Sequence, residues 1–320
     1  MRIHIPNSAF LLNFEPFIQG FDPSDSEKLE ITANKKWISL HPAALSMIAA
    51  LGLSVGAEGV VCEKLEAKSK HYLERMGLFD YLGIESGMEI IKHESAGRFI
   101  PLTQIRNSEE LAKFITEMIP LLHLEPKQVD PIRYTISEIV RNVLEHSQSK
   151  HGAIVSAQYY LKSNKIRIGI VDRGSGIRQT ISRSHITNSH IQAVRLSLIP
   201  GITGTTSKEG GTEQNAGAGL FFTKSIARVN GDNFLIYSGD AMYKLLNHAG
   251  EDKQILFADP FLDRHTKKTG LPFWDGTVVG IDISLDSTAE FNGMLGLIRD
   301  IYTKTVRERK KEKYQKPKFI

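Results

Sequence analysis

Glu138 and Asn142 stand four residues apart in the segment SEIVRNVLEHS, and His146 follows four further on. In a helix that spacing lines a carboxylate, a carboxamide and an imidazole along one face. The carboxylate can orient or deprotonate a nucleophile. The carboxamide offers a neutral oxygen suited to a Mg²⁺ ion that keeps several waters. The same row also fits a plain solvated helix face. A second carboxylate, Asp172, closes the apolar run in IGIVDRGSGI and is followed by Gly174 and Gly176. Glycines let backbone approach a ligand closely, and a carboxylate at a strand end can accept from an amino group; an ordinary Asp-Gly turn is the alternative. The third feature is the glycine-rich run 201–231, which leads through GAGL into a helical pattern starting near Ala218. Free N–H groups and the positive end of a helix suit a phosphate there, as a flexible loop would also read. It is not a Walker A loop, because Lys208 follows Ser207 rather than glycine, and no strand directly precedes a G-x-G-x-x-G.

The elements that must hold these residues follow from periodicity. Ile132, Ile136, Ile139, Val140, Val143 and Leu144 recur at three- and four-residue intervals and predict a long helix over 126–147. Strands are expected at 99–105, 153–161, 166–171, 234–237, 254–257 and 277–285, with a hairpin turn at 162–165 and helices at 109–123 and 218–229. Residues 177–216 are long and polar, with glycine at 201, 204, 210 and 211, and read as a mobile loop or lid. His185 and His190 lie five apart within it and could ligate a metal or stand as exposed loop histidines. The first 95 residues alternate short strand patterns (2–5, 29–32, 59–62) with helices at 42–53 and 65–76. Trp37 and Trp274 read as core or boundary anchors, and a final helix runs from about 288.

The chain has 320 residues, about two domains' worth, and its 41% hydrophobic and 24% charged content argues against disorder. The apolar run 42–53 is too short to span a bilayer, and no signal peptide is evident, so no membrane partner is expected. A single cysteine, Cys62, leaves no intrachain disulfide or cysteine-based zinc site and suits a cytoplasmic setting. The net charge of +4 is unevenly spread: residues 304–320 carry eight Lys/Arg against two Glu, so the rest of the chain is near neutral at −2. That tail could meet nucleic acid or an acidic partner, but a solvated helix end is the commoner reading and nucleic acid is not favoured.

Taken in order, E-x-x-x-N on a helix, D-x-G-x-G after a strand, a glycine-rich run ending in GAGL, and GTVVGIDISL resemble the GHKL superfamily of gyrase B subunits, the ninety-kilodalton heat-shock chaperone, histidine kinases and MutL. The resemblance covers about residues 105–287. It implies an α/β fold of the Bergerat type, a two-layer sandwich with a mixed sheet, spanning 96–303. A small α/β regulatory or interaction module would lie at 1–95 and a basic tail at 304–320. It implies Mg²⁺ and ATP as cofactors, with Glu138 activating water and Asn142 as the metal-coordinating residue. Asp172 would accept from the adenine amino group, Gly174, Gly176 and Ile177 would line the adenine pocket, and Thr277 would back it through water. Gly217 and Gly219 would bring backbone amides to the phosphates, and Lys208 would add a phosphate contact. A lid over about 185–216 would close on the nucleotide. The wording E-x-x-x-N-x-x-x-H is similar to the anti-sigma-factor serine kinases and stand-alone ATPases of bacterial regulators. It implies a regulatory protein partner and is compatible with a homodimer. Slow ATP hydrolysis, a serine/threonine kinase activity and a non-hydrolysing ATP-sensing switch are the functions this branch offers. No phosphoacceptor helix of the histidine-kinase type is evident before the motif, and the roughly 35 residues after the region of resemblance are too few for the transducer domain of gyrase and MutL, so fast dimer-gated hydrolysis is not expected.

Overall fold

The structure is a computed structural model and describes residues 1–67, 69–86, 99–206, 218–246, 256–285 and 291–313. The chain opens with β1 (Arg2–Ile5), β2 (Ser8–Ala9), α1 (Glu15–Gln19), β3 (Leu29–Ala33), β4 (Ser39–Leu40), α2 (Pro42–Val55) and β5 (Val60–Cys62). Two short helices, α3 (Lys70–Arg75) and α4 (Leu78–Leu82), lead towards β6 (Phe99–Ile105), α5 (Ser108–Lys113) and α6 (Pro126–Asn142). Then come β7 (Ala153–Tyr160), β8 (Lys165–Asp172), α7 (Gly176–Ile181), α8 (His190–Ser197) and α9 (Gly219–Asn230). The chain continues through β9 (Phe234–Gly239), β10 (Ala241–Leu245), β11 (His265–Lys268), β12 (Trp274–Ser284) and α10 (Phe291–Lys313). The fold is mixed α/β.

Seven strands form one sheet in the order β11-β10-β9-β12-β8-β7-β6. A mixed sheet was the expectation, but every neighbouring pair in it is antiparallel. The reason lies in β12, which inserts between β8 and β9: the crossover through α7, α8 and α9 makes those two strands parallel, yet they never touch. Parallel pairing is confined to two small sheets of the N-terminal segment, β1-β3-β5 and β2-β4.

Side-chain alternation along β8 divides the core. Ile166, Ile168 and Ile170 point to the face covered by α6, α7, α8 and α9, while Val171 joins a second core on the other face. That second face is covered by α2, whose buried Ala43, Ala44, Met47 and Ile48 share one cluster with Ile154, Val171, Leu235 and Val278. The N-terminal segment therefore adds a layer on the face of the sheet opposite α6–α9. Contact is closest where Gly169 and Gly280 sit side by side across β8 and β12. A Cβ on Gly169 would fall 2.2 Å from the Ala43 amide nitrogen. At Gly280 the nearest atom is a methyl of Leu11 at 2.6 Å.

Several local expectations shift for identifiable reasons. The helix expected over 109–123 breaks into α5, a π turn at Phe114–Met118 and a 3₁₀ turn at Ile119–Leu122, where Pro120 lacks the N–H a regular helix needs. The helix expected from 65 starts at Lys70. The loop expected from 177 instead contains α7 and α8; Ser189 caps α8 by accepting from the Gln192 amide, and Ala193 and Val194 pack in the core. Strands β10 and β11 were not anticipated, since all five residues of β10 are buried and so show no polar–apolar alternation. Of the strand expected at 254–257, Leu256 and Phe257 are not extended in any sheet, and 254–255 lie outside the described residues. Trp274 is buried as expected, whereas Trp37 is 56% exposed. The basic tail begins as helix, since α10 runs to Lys313. No helix among the described residues is long and apolar enough to cross a membrane.

The two sheet glycines should respond differently to added bulk. Gly169→Val meets backbone and should destabilise by about 3 kcal/mol, while Gly280→Ala meets a movable leucine methyl and should cost about 1 kcal/mol. Midpoints of urea unfolding measure both.

Candidate functional site

A cavity of about 320 Å³ opens between α6, the β8–α7 turn, the start of α9 and β12. Its walls include Glu138, Asn142, Asp172, Gly176, Ile177, Gly219 and Thr277. Seven of the residues singled out from the sequence thus come together from four separate chain segments. Gly174 lies behind the wall rather than in it. Lys208 and Gly217 fall outside the described residues, as does all of 207–217 in the glycine-rich run.

The floor is built around Asp172. Its carboxylate, on a residue 1% exposed, accepts from the Gly174 amide at 2.8 Å and from the Thr277 amide and hydroxyl. Thr277 is its register partner on β12. Burial pushes the Asp172 carboxyl up to about 7, against the pull of those donors. The turn beyond it is fixed by close backbone approaches. Gly276, at φ 105°, would carry its Cβ 2.2 Å from the Asp172 carbonyl oxygen. That oxygen accepts from the Trp274 indole N–H at 3.1 Å. The Ser238 hydroxyl donates to the Gly276 carbonyl at 2.6 Å and accepts from the Ile177 amide at 3.0 Å, pinning the first turn of α7 to β9.

The wall opposite is α6. Its regular winding ends at Asn142 and gives way to a π turn at Val143–Ser147, closed by Gln148 at φ 55°. The extra residue in a π turn re-aims the side chains and carbonyls beyond it, a device frequent at functional sites. Here it presents the Ser147 carbonyl to the Ser175 amide at 2.6 Å and packs it where a Gly174 side chain would stand, 2.1 Å away. Helix and turn are thereby joined directly. His146, 18% exposed, also lines the cavity.

At the far end, Glu138 and Asn142 face the start of α9. A Cβ on Gly219 would come within 2.8 Å of the Glu138 Oε2 and 3.1 Å of the Asn142 Nδ2, so the helix end lies directly against the two side-chain tips. Among the described residues no side chain caps that end, since Ala218 at its N-cap offers no acceptor. Burial raises the Glu138 carboxyl, with nearby Arg141 opposing and Glu145 reinforcing the shift. Helix α9 is held by a buried ion pair: Lys224 Nζ donates to Asp263 at 2.6 Å, and Arg228 Nε lies 3.3 Å from the same carboxylate.

The two histidines of the expected loop do other work. His185 bonds the Thr203 carbonyl at 3.0 Å, and His190 packs edge-on against Phe273. Among the described residues no group of three or more His, Cys, Asp or Glu is placed to hold a metal. Sequence reasoning did not find Ser238, Ser147 or the indole contact of Trp274, because each acts through pairing between distant segments. No protein-family model matches the chain, and no curated protein matches it.

Asp172 should be a stability liability with a definite pH signature. Its folded pKa of about 7 lies above the ordinary 3.8, so ionisation is disfavoured in the folded protein. The stability associated with it is full below pH 4 and is lost as pH rises towards 7, by roughly 4 kcal/mol at most. Asp172→Asn keeps an acceptor for the Gly174 amide and removes the charge. Its advantage over wild type in thermal unfolding should be absent at pH 4 and reach several degrees at pH 8.

Proposed function

We propose that this chain binds Mg-ATP in the cavity between α6 and the Asp172 turn and acts as a nucleotide-dependent regulator that hydrolyses ATP slowly. The observation that carries the reading is that one cavity has two chemically opposite ends. At one, a buried carboxylate titrating near neutrality awaits a hydrogen-bond donor. At the other, a carboxylate and a carboxamide meet the uncapped start of a helix. Glu138 precedes Ser147, beside the Asp172 turn, by nine residues, roughly 13 Å of helix, which suits an extended nucleotide lying base-to-phosphate along α6. The cavity volume falls within the range of about 300–1,000 Å³ for small-molecule sites. The order of motifs resembling the GHKL superfamily supports the same assignment.

Each residue then has a task. The Asp172 carboxylate accepts from the exocyclic amino group of adenine, and Thr277 orients that carboxylate. Ile177 offers an apolar wall to the base. The first-turn amides of α9, brought close by Gly219, receive phosphate oxygens. Mg²⁺, when bound through Asn142 and phosphate oxygens, supplies neutralisation of the triphosphate charge. Glu138 orients a water and takes its proton; partial burial raises its pKa and makes it a stronger base. Its side chain is 27% exposed, so water can reach it. A regulatory protein partner is part of this reading, because slow turnover suits a timed switch.

Release of phosphate from Mg-ATP tests it. Glu138→Gln should lower turnover by about 10²-fold or more with nucleotide binding retained. Binding without turnover in the wild type would leave a switch, or a kinase whose Glu138 serves a partner's hydroxyl, and no binding at all would remove the proposal. Binding also carries a proton signature. Ligation favours ionised Asp172, so affinity should rise from pH 6 to about 7 and level off above it, and Asp172→Asn should bind weakly at every pH. Calorimetric titration in buffers of different ionisation enthalpy would register the released proton.

A further inference from the structure

The described wall of the cavity carries three carboxylates, Glu138, Glu145 and Asp172, and among its described residues one Lys or Arg, Arg141. An anionic ligand entering such a cavity meets repulsion unless a cation moves to meet it. Arg141 is placed for that movement. It sits on α6 directly before Asn142, with Nη1 3.9 Å from Glu138 Oε1. That distance is an ion pair without a hydrogen bond, and the Arg141 side chain is 62% exposed. Such a pair is weak and easily exchanged for a better acceptor. A guanidinium matches two phosphate oxygens with its forked N–H groups, a stronger arrangement than the one it makes with Glu138.

Position decides which phosphate it meets. Asp172 marks the base end, beside the π turn of α6, and Glu138 with Gly219 marks the opposite end. Arg141 belongs to that second end, where the last phosphate of a nucleotide would lie. We infer that Arg141 leaves Glu138 for the terminal phosphate of a bound nucleoside triphosphate, so that this side chain distinguishes triphosphate from diphosphate. The inference rests on the nucleotide reading above. With a diphosphate bound, Arg141 stays on Glu138. With a triphosphate bound, it departs and leaves the Glu138 carboxylate free for its own partner.

The test compares Mg-ADP with a non-hydrolysable ATP analogue by calorimetric titration, in wild type, Arg141→Gln and Arg141→Lys. Because the side chain is largely exposed, both variants should unfold at the wild-type temperature. Wild type should bind the analogue about tenfold more tightly than ADP. In Arg141→Gln that ratio should collapse to within about threefold with ADP affinity nearly unchanged, and Arg141→Lys should restore part of it. An unchanged ratio in Arg141→Gln, or an equal loss for both nucleotides, overturns the inference while leaving nucleotide binding intact. Wild type that binds both nucleotides equally does the same. Wild type that binds neither removes the nucleotide reading itself, and the role of Arg141 with it.

Discussion

A carboxylate taken out of water at the end of a β-strand must be surrounded by donors, and the arrangement of this protein follows from satisfying Asp172. Three donors reach its side chain, from Gly174 and from the amide and hydroxyl of Thr277. Providing them requires β12 to lie directly beside β8, so the last strand of the sheet must insert between β8 and β9. It also requires a turn tight enough to fold Gly174 back on Asp172, and that turn is clamped by Ser147 on one side and Gly276 on the other. Even so the donors do not compensate for the burial, since the carboxyl still titrates near 7. A site that leaves such a group under-compensated is poised for one more donor.

The N-terminal segment contributes to the same place from behind. Trp274, whose indole holds the Asp172 carbonyl, packs against Phe21 and lies under the guanidinium of Arg173. Arg173 in turn reaches the Met1 sulfur and pairs with Asp275. The floor of the cavity is therefore one residue removed from the first residue of the chain. A second joint is polar. His41 accepts the Ala43 amide on Nδ1, which assigns the proton to Nε2 and lets it donate to Asp282 at 3.3 Å. Burial pushes the His41 pKa down, keeping the ring neutral. Asp282 accepts from Asn233 as well, and Arg167 lies 3.5 Å away. The segment 1–86 is fastened to the sheet by apolar area across α2 and by this buried network, so a change in one layer is felt in the other.

How much of this was legible in the residues depended on whether a feature is local. The row of Glu138, Asn142 and His146 could be read because helical spacing is a property of one segment, and the Asp172 turn because Gly174 and Gly176 follow it within four residues. Helix α8 was hidden inside a polar stretch: eight residues with a buried Ala193-Val194 pair give too short a pattern against flanking glycines and histidines. Strand β10 was hidden for the opposite reason. Its Lys244, a charge in the middle of a strand, is fully paired to Glu15 and the Leu12 carbonyl across the layers. A lysine whose partner sits 229 residues away in the chain gives no local sign that it can be buried. The third layer was unreadable for the same cause, since Gly169 and Gly280 are meaningful only once their strands are neighbours.

The start of α9 raises a final mechanical point. A helix end can hold an anion only if it cannot retreat under the charge it receives, because its effect falls off within the first turn. Helix α9 is held from two sides. Phe221 and Phe222 are buried against Met294, Ile298 and Tyr302 of α10, and Phe222 also meets Tyr134 on α6. One turn further on, Lys224 and Arg228 share Asp263 with no water access to the pair. Burying two cations on one carboxylate is a poor source of stability, since hydrophobic replacements of the same volume serve a fold as well or better. What it does provide is direction: Asp263 can reach both Lys224 Nζ and Arg228 Nε only if α9 has one rotation and one translation. That single pose is the one that brings Gly219 against Glu138 and Asn142, so the buried charges behind the helix set the geometry of the uncapped amides in front of it.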